Sequence, residues 1–249
     1  MWLRRQLVAL FGLEEHSAHT PDEVDWEMLP EACALQLHWP HTRGFVRTLK
    51  QHGFRVLVVG RHPLDVLLSI LHFAGHEPET ARWLDGALGD ERSIIGAAPS
   101  SDAFLAYSAS RRAQALINVS PQWWEHALVS IRYEDLVADP THELERIVEA
   151  VGAAAVLSPQ RVTGTVTFGS LQTEASNRHF WQGKPNHWRE LLPPDVATEL
   201  ARPHARVIRR LGYDVQPDPY LGPEEASKRW HAKVGARPAP SSPDSTPAG

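Results

Sequence analysis

The sequence predicts an α/β fold built on a parallel sheet whose central strand is covered on both faces. Three observations carry this reading. Residues 54–60, FRVLVVG, form a nearly continuous apolar run of strand length, the pattern of a strand buried on both sides. The run passes through Arg61 and His62 straight into Pro63 and an apolar-periodic segment. Proline is at ease in the first turn of a helix, where its missing amide hydrogen would have had no partner. Apolar strands and helical segments then alternate along the chain, which argues for crossover helices between parallel strands.

The elements follow in order. Leu3, Leu7, Leu10 and Phe11 fall on one helical face and predict an amphipathic helix near 2–12. Two arginines ahead of that apolar stretch suggest a signal peptide. The stretch is only about seven residues, however, and runs into Glu14 and Glu15 without a small-residue cleavage site. A strand near 33–38, a helix at 43–51, the strand at 54–60 and a helix at 63–73 come next. A polar, glycine-containing interval near 84–100 precedes a helix at about 101–117. Ala127 to Tyr133 reads as another short strand, and a helix from about Thr141 to Val151 stops at Gly152, a residue suited to the left-handed position after a helix. Residues 175–190 have no period and mix aromatic, basic and amide side chains, the composition of a long functional loop. A last helix runs from about Pro194 to Leu211 and ends at Gly212. From Gly222 the chain turns polar, and 236–249 holds four prolines. Residues 1–221 therefore read as one domain and 222–249 as a disordered tail.

Bulk composition narrows the function. The 249 residues are 42% hydrophobic and 22% charged, as in a soluble globular protein. With 25 basic against 30 acidic residues the formal charge is −5, so no general basic field draws in nucleic acid and any anion site has to be local. One cysteine, Cys33, forms no internal disulfide and points to a reducing, cytoplasmic setting. No apolar run is long enough to span a membrane. The sequon from Asn118 to Ser120 carries little weight in a chain that nothing directs to a glycosylating compartment.

Arg61 falls at the carboxyl end of a parallel strand beside a helix N-terminus, the edge at which open α/β sheets bind ligands, and an arginine with free helix amides there suits a phosphate. Ser69, two helical turns on, reaches the same anion if the ligand lies along the helix flank. On these residues alone, an ordinary strand and helix with a solvated arginine is an equal reading. His38, in LHWP, ends the preceding strand on the same edge, where it is placed to act as a general base, a role worth about 100 to 10,000-fold in rate; a hydrogen-bonded structural histidine is the alternative. Tyr133 closes the third strand and can flank a purine or simply pack. No GxxxxGK[ST], GxGxxG or GxSxG pattern is present, which removes support for a nucleotide kinase, a dehydrogenase and an α/β hydrolase. His72 and His76 beside Glu77 have helical ligand spacing, but neither an HExxH pattern nor a cysteine pair accompanies them, and no metal is expected.

Together these segments resemble the cytosolic-type sulfotransferases, over about residues 1–215. GRHPLDVLLS is similar to the family's 3'-phosphate strand and helix, LHWP to its catalytic histidine motif, and SIRYEDLVADP to its YED segment. QGKPNHWRELL looks like the RKGxxGDWK loop, with Gly183 to Trp188 keeping its five-residue step, and RRLGYD resembles the end of the C-terminal helix. The resemblance implies a three-layer α/β/α, P-loop NTPase-like sulfotransferase fold with a central parallel sheet. It also implies 3'-phosphoadenosine 5'-phosphosulfate (PAPS) as co-substrate without a metal, and His38 as the base that deprotonates a small-molecule or glycan acceptor. The implied cofactor residues are Trp2, Arg61, Ser69, Tyr133, Gln182, Gly183 and Lys184, with Trp2 and Tyr133 at the adenine.

The departures are as specific. Trp2 matches only the end of the family's PxSGTTW-like phosphosulfate loop, so the N-terminal strand and the cation of that loop are expected to be missing from this chain, through a misassigned start, a truncation or natural degeneration. Trp181 and Gln182 stand where the family has arginine and lysine, with Lys184 or Arg178 as possible replacements, and Gln36 stands where many members have lysine. The alternative function is a degenerate, non-catalytic binding or scaffold protein. Trp83, Trp123, Trp124, Trp181 and Trp188 supply apolar or sugar-stacking surface near the acceptor, although Trp83, Trp123 and Trp124 read equally as core.

Overall fold

The computed structural model describes residues 2–76, 91–167, 169 and 183–235. Helix α1 (Trp2–Phe11) is followed by strands β1 (Glu14–Ser17) and β2 (Cys33–Gln36), helix α2 (Arg43–Gln51), strand β3 (Leu57–Gly60) and helix α3 (Pro63–His76). Three short helices, α4 (Asp102–Ala109), α5 (Arg111–Ile117) and α6 (Val119–Trp123), lead to strand β4 (Val129–Arg132), α7 (Tyr133–Ala138), α8 (Pro140–Val151) and α9 (Pro159–Thr165). The chain closes with α10 (Trp188–Leu191), α11 (Pro194–Ala201), α12 (Ala205–Arg210) and α13 (Pro223–Gly235).

All strand pairing among the described residues is parallel. β1 pairs with β2, and β3 pairs with β4, as two separate two-stranded ladders. The β3–β4 pair is buried on both faces, and its period of two shows how. Val58 packs with Phe45, Leu49 and Trp123 on one face, below α2 and α6. Leu57, Val59, Val129 and Ile131 pack with Leu10, Leu144 and Ile147 of α1 and α8 on the other. A third group gathers Leu64, Leu67, Leu68 and Leu71 of α3 with residues of α4, α10, α11 and α12. Helices therefore flank the strands on both sides, and the α/β expectation holds.

Local chemistry explains the boundaries. The α2 N-terminus is closed by Thr42, whose side chain accepts from Phe45 N, and α8 ends at Gly152 with φ +64°, the left-handed residue expected there. The helix expected over 101–117 is broken at Ser110, whose extended backbone ends α4 while its hydroxyl accepts from Ala113 N to start α5. The helix expected over 194–211 is broken by a 3-10 turn at Arg202–His204, because Pro203 cannot donate to the helical ladder. The strands are shorter than expected, and β1 was not foreseen because Glu14-Glu15-His16-Ser17 carries no apolar signal.

The boundary expected at 222 needs correction. Residues 223–235 form a helix, with Pro223 at its start, Glu224 and Glu225 in the first turn and Lys233 in the last, charges that suit the helix dipole. Ala226 and Trp230, four residues apart, are both buried, and α13 packs against α10. Two apolar anchors in a polar segment are too few to show as a hydrophobic stripe. Residues 236–249 lie outside the described residues.

Gly60 ends β3 under pressure from both sides. A Cβ there would lie 2.9 Å from Trp124 Cζ3 and 3.2 Å from Leu211 Cδ2. Gly60→Ala is expected to destabilise the fold by about 1–3 kcal/mol in urea unfolding. Trp230→Ala is expected to cost about 3 kcal/mol by the same measurement, whereas loss of an undocked tail residue would leave the midpoint unchanged.

Candidate functional site

The register of β3 and β4 pairs Gly60 with Arg132. The residues that follow, Arg61 and Tyr133, consequently leave the sheet side by side at its carboxyl edge. The Arg61 guanidinium carbon lies 4.9 Å from the centroid of the Tyr133 ring. Its Nη1 donates to Ser69 Oγ at 3.1 Å and its Nη2 to the Lys184 carbonyl at 3.3 Å. The Tyr133 hydroxyl donates to the Gly183 carbonyl at 2.6 Å. Three chain segments spread over more than a hundred residues of sequence thus meet at one point. Gly183 takes φ +62°, which turns the incoming loop so that two successive carbonyls face these donors.

The loop is anchored from beneath by Asp65. Its Oδ1 accepts from the Trp188 amide at 2.9 Å, and its Oδ2 lies 4.0 Å from Arg61 Nε. Burial raises the Asp65 pKa to about 6, against the opposing effects of Arg61 and the Trp188 amide. Trp188 is fully buried and stacks on His62, with ring centroids 4.9 Å apart. His62 Nδ1 accepts from Leu64 N at 3.2 Å, capping α3, which leaves Nε2 to donate to the Asp214 carbonyl at 2.9 Å. Glu134 joins the same frame: it accepts from His62 N at 3.2 Å and from the Tyr213 hydroxyl, which also lies 3.2 Å from the Gly60 carbonyl.

His38 stands apart from this group, two residues beyond β2. It faces Arg112 of α5 and hydrogen-bonds the Leu116 carbonyl of the same helix, a contact that raises its pKa. Its ring is open to solvent, yet loss of surrounding water is the main influence lowering its pKa, with Arg112 adding to the effect. Arg112 is itself fixed, its Nε 2.9 Å from Oε1 of the fully buried Glu91, which also accepts from Tyr107 at 2.8 Å.

The backbone as a whole is similar to the crystal structure of mouse sulfotransferase SULT7A1 complexed with PAP. The TM-score is 0.59 at 16% sequence identity, over 84% of this chain and 80% of that one. The chain has the sulfotransferase fold. No protein-family model matches the sequence, and no curated protein does either.

In this sulfotransferase fold, the sequence-expected residues Arg61, Ser69, Tyr133, Gly183 and Lys184 come together. Trp2 lies with the apolar residues beside α7 and α8, its indole N–H donating to the Val166 carbonyl at 2.9 Å. Gln182, with Arg178 and Trp181, lies outside the described residues, as do Trp83 and Glu77. Trp123 is buried and donates to the Trp39 carbonyl at 2.8 Å, so the core reading of that residue holds. Asp65, His62, Glu134 and Tyr213 are the frame that motif reading alone did not assign, although all four sit inside the matching segments.

Lys233 of α13 is the member that no motif could announce. Its ammonium group contacts His187 and lies 3.1 Å from Glu190 Oε2, while Lys184 pairs with the other Glu190 oxygen. These two ammonium groups hold the Glu190 pKa down at about 2. Burial and then Lys233 push His187 down to about 4, so the imidazole stays neutral at physiological pH. Between about pH 6.5 and 4 the unfolded chain protonates this histidine and the folded chain does not, so His187 lowers stability as pH falls through that window. Asp65 acts in the opposite sense, since its raised pKa favours the folded state on acidification. His187→Asn is therefore expected to lose less stability between pH 7 and 4 than the parent, by about 3 kcal/mol at most, as read by urea unfolding across that range.

Proposed function

We propose that this chain is a sulfotransferase that takes a sulfuryl group from PAPS and passes it to a hydroxyl or amine acceptor. The observation that carries the reading is the meeting of Arg61, Ser69, Tyr133 and the Gly183–Lys184 backbone at the carboxyl edge of a parallel strand pair. The donor set fits a nucleotide phosphate. Arg61 Nε is buried without a hydrogen-bond partner among the described residues, and the guanidinium, a serine hydroxyl and an aromatic face lie within one small region.

PAPS, when bound, supplies the activated sulfuryl group. Arg61 and Ser69 hold its 3'-phosphate by charge-assisted hydrogen bonds, each typically worth about 1.5–3 kcal/mol. Tyr133, fixed through its hydroxyl to Gly183, offers its ring to the adenine, and the Lys184 backbone braces Arg61 at the same edge. His38 takes the proton of the acceptor. A base must be neutral to do so, and desolvation of the ring together with the nearby Arg112 lowers the His38 pKa, against the Leu116 hydrogen bond. Most of the rate advantage in such group transfers comes from position and charge stabilisation, which places the weight on the geometry around Arg61.

Calorimetric titration with 3'-phosphoadenosine 5'-phosphate (PAP) tests the binding half. Arg61→Ala is expected to weaken binding by about 10- to 100-fold, in line with the loss of one or two charge-assisted bonds; unchanged affinity would remove Arg61 from the site. His38→Ala is expected to leave PAP affinity within about twofold and to abolish transfer of labelled sulfate from PAPS to acceptor. Full turnover in that variant would assign the base elsewhere, and PAP binding without any transfer by the parent chain would favour a non-catalytic binding protein.

A further inference from the structure

We propose that Asp65 is a proton-linked positioning residue: it takes up a proton when a phosphate monoester dianion binds beside Arg61, so that the buried site never holds two unneutralised anions. The inference rests on the reading of the Arg61 group as a nucleotide phosphate site.

The geometry points to it in three ways. The Asp65 side chain is fully buried, and only one of its oxygens is satisfied, by the Trp188 amide. The other, Oδ2, has no hydrogen-bond partner among the described residues and lies 4.0 Å from Arg61 Nε, which is likewise buried and unpartnered. The remaining Arg61 nitrogens are turned to Ser69 and the Lys184 carbonyl. An anion that engages the guanidinium therefore competes with Asp65 for the charge that offsets it.

Among the described residues, the surroundings offer no replacement. Glu134 of α7 repels the Asp65 carboxylate, and Tyr133 of the same helix presents a phenol whose own pKa is raised by burial. The loop contributes amides, from Asn186 and Trp188. Its charged side chains among the described residues are occupied: Lys184 pairs with Glu190, Glu190 with Lys233 of α13, and Arg189 lies 3.5 Å from Asp214. With a pKa of about 6 the free carboxyl is ionised at pH 7.5, and a nearby dianion raises its pKa further. The bound state then holds a proton that the free state lacks, so affinity falls as pH rises. A carboxylate that stays ionised throughout would show no such linkage, and a merely structural role for Asp65 would not produce one.

Calorimetric titration of the full chain with PAP at pH 7.5, in buffers of different ionisation enthalpy, reads the proton count directly. The parent is expected to take up close to one proton per PAP, and Asp65→Asn, which keeps an oxygen for the Trp188 amide, to bind with none. Binding without proton uptake by the parent, or the same uptake by Asp65→Asn, overturns the role of Asp65 and leaves the nucleotide reading standing. Failure of PAP to bind the parent at all overturns both. If Asp65→Asn does not fold, the parent alone decides: its affinity is expected to fall by a factor approaching ten per unit between pH 7 and 8, and an affinity independent of pH over that range overturns the proposal.

Discussion

Because β3 and β4 run parallel with Gly60 opposite Arg132, whatever follows each strand is delivered to the same edge, and the candidate site depends on that delivery. A shift of one residue in this register would turn Val58 out of its group with Phe45 and Trp123 and Val59 out of the opposite one, so burial on both faces fixes the pairing. Gly60 is the tightest point of the arrangement, since Trp124 and Leu211 close over the place a side chain would occupy. Arg61, Ser69 and Tyr133 are thus positioned by apolar packing in which none of the three takes part.

Around that edge, the polar residues divide the work of support and of contact. His62, Glu134 and Tyr213 tie the β3–α3 turn to α7 and to the chain after α12, each through hydrogen bonds that leave Arg61 and Ser69 facing the loop. Such buried polar frames are demanding, because a single lost partner strands a desolvated group. Asp65 marks the point where the frame meets the candidate site, and one of its carboxyl oxygens is left without a hydrogen-bond partner among the described residues.

Much of this was legible in the sequence, for identifiable reasons. The apolar run at 54–60, Pro63 at the start of α3 and Gly152 at the end of α8 each carry a local physical signal that survives folding unchanged. Arg61 and Tyr133 could be placed together because strand ends of a parallel sheet share an edge, whereas Gly183 and Lys184 joined them only through the resemblance of their loop to the sulfotransferase pattern. β1 could not be read, since Glu14 to Ser17 form a strand by pairing with β2 and not by burying an apolar face. The helix breaks at Ser110 and Pro203 were hidden by apolar residues on both sides of them. α13 was missed because its two anchors, Ala226 and Trp230, matter only in the presence of the surface they dock on.

That last helix gives the molecule a particular order of assembly. The loop carrying Gly183 and Lys184 finds one of its cationic partners, Lys233, in the final turn of α13, nearly fifty residues further along the chain. On the ribosome, β3, α3 and β4 can pack and expose the Arg61 edge well before Lys233 has been made. Glu190 then has Lys184 without Lys233, and His187 lacks the neighbour that helps to keep it neutral. The Arg61 edge is an early product of synthesis and its electrostatic finish a late one, so a nascent chain presents an incomplete version of the candidate site until α13 docks.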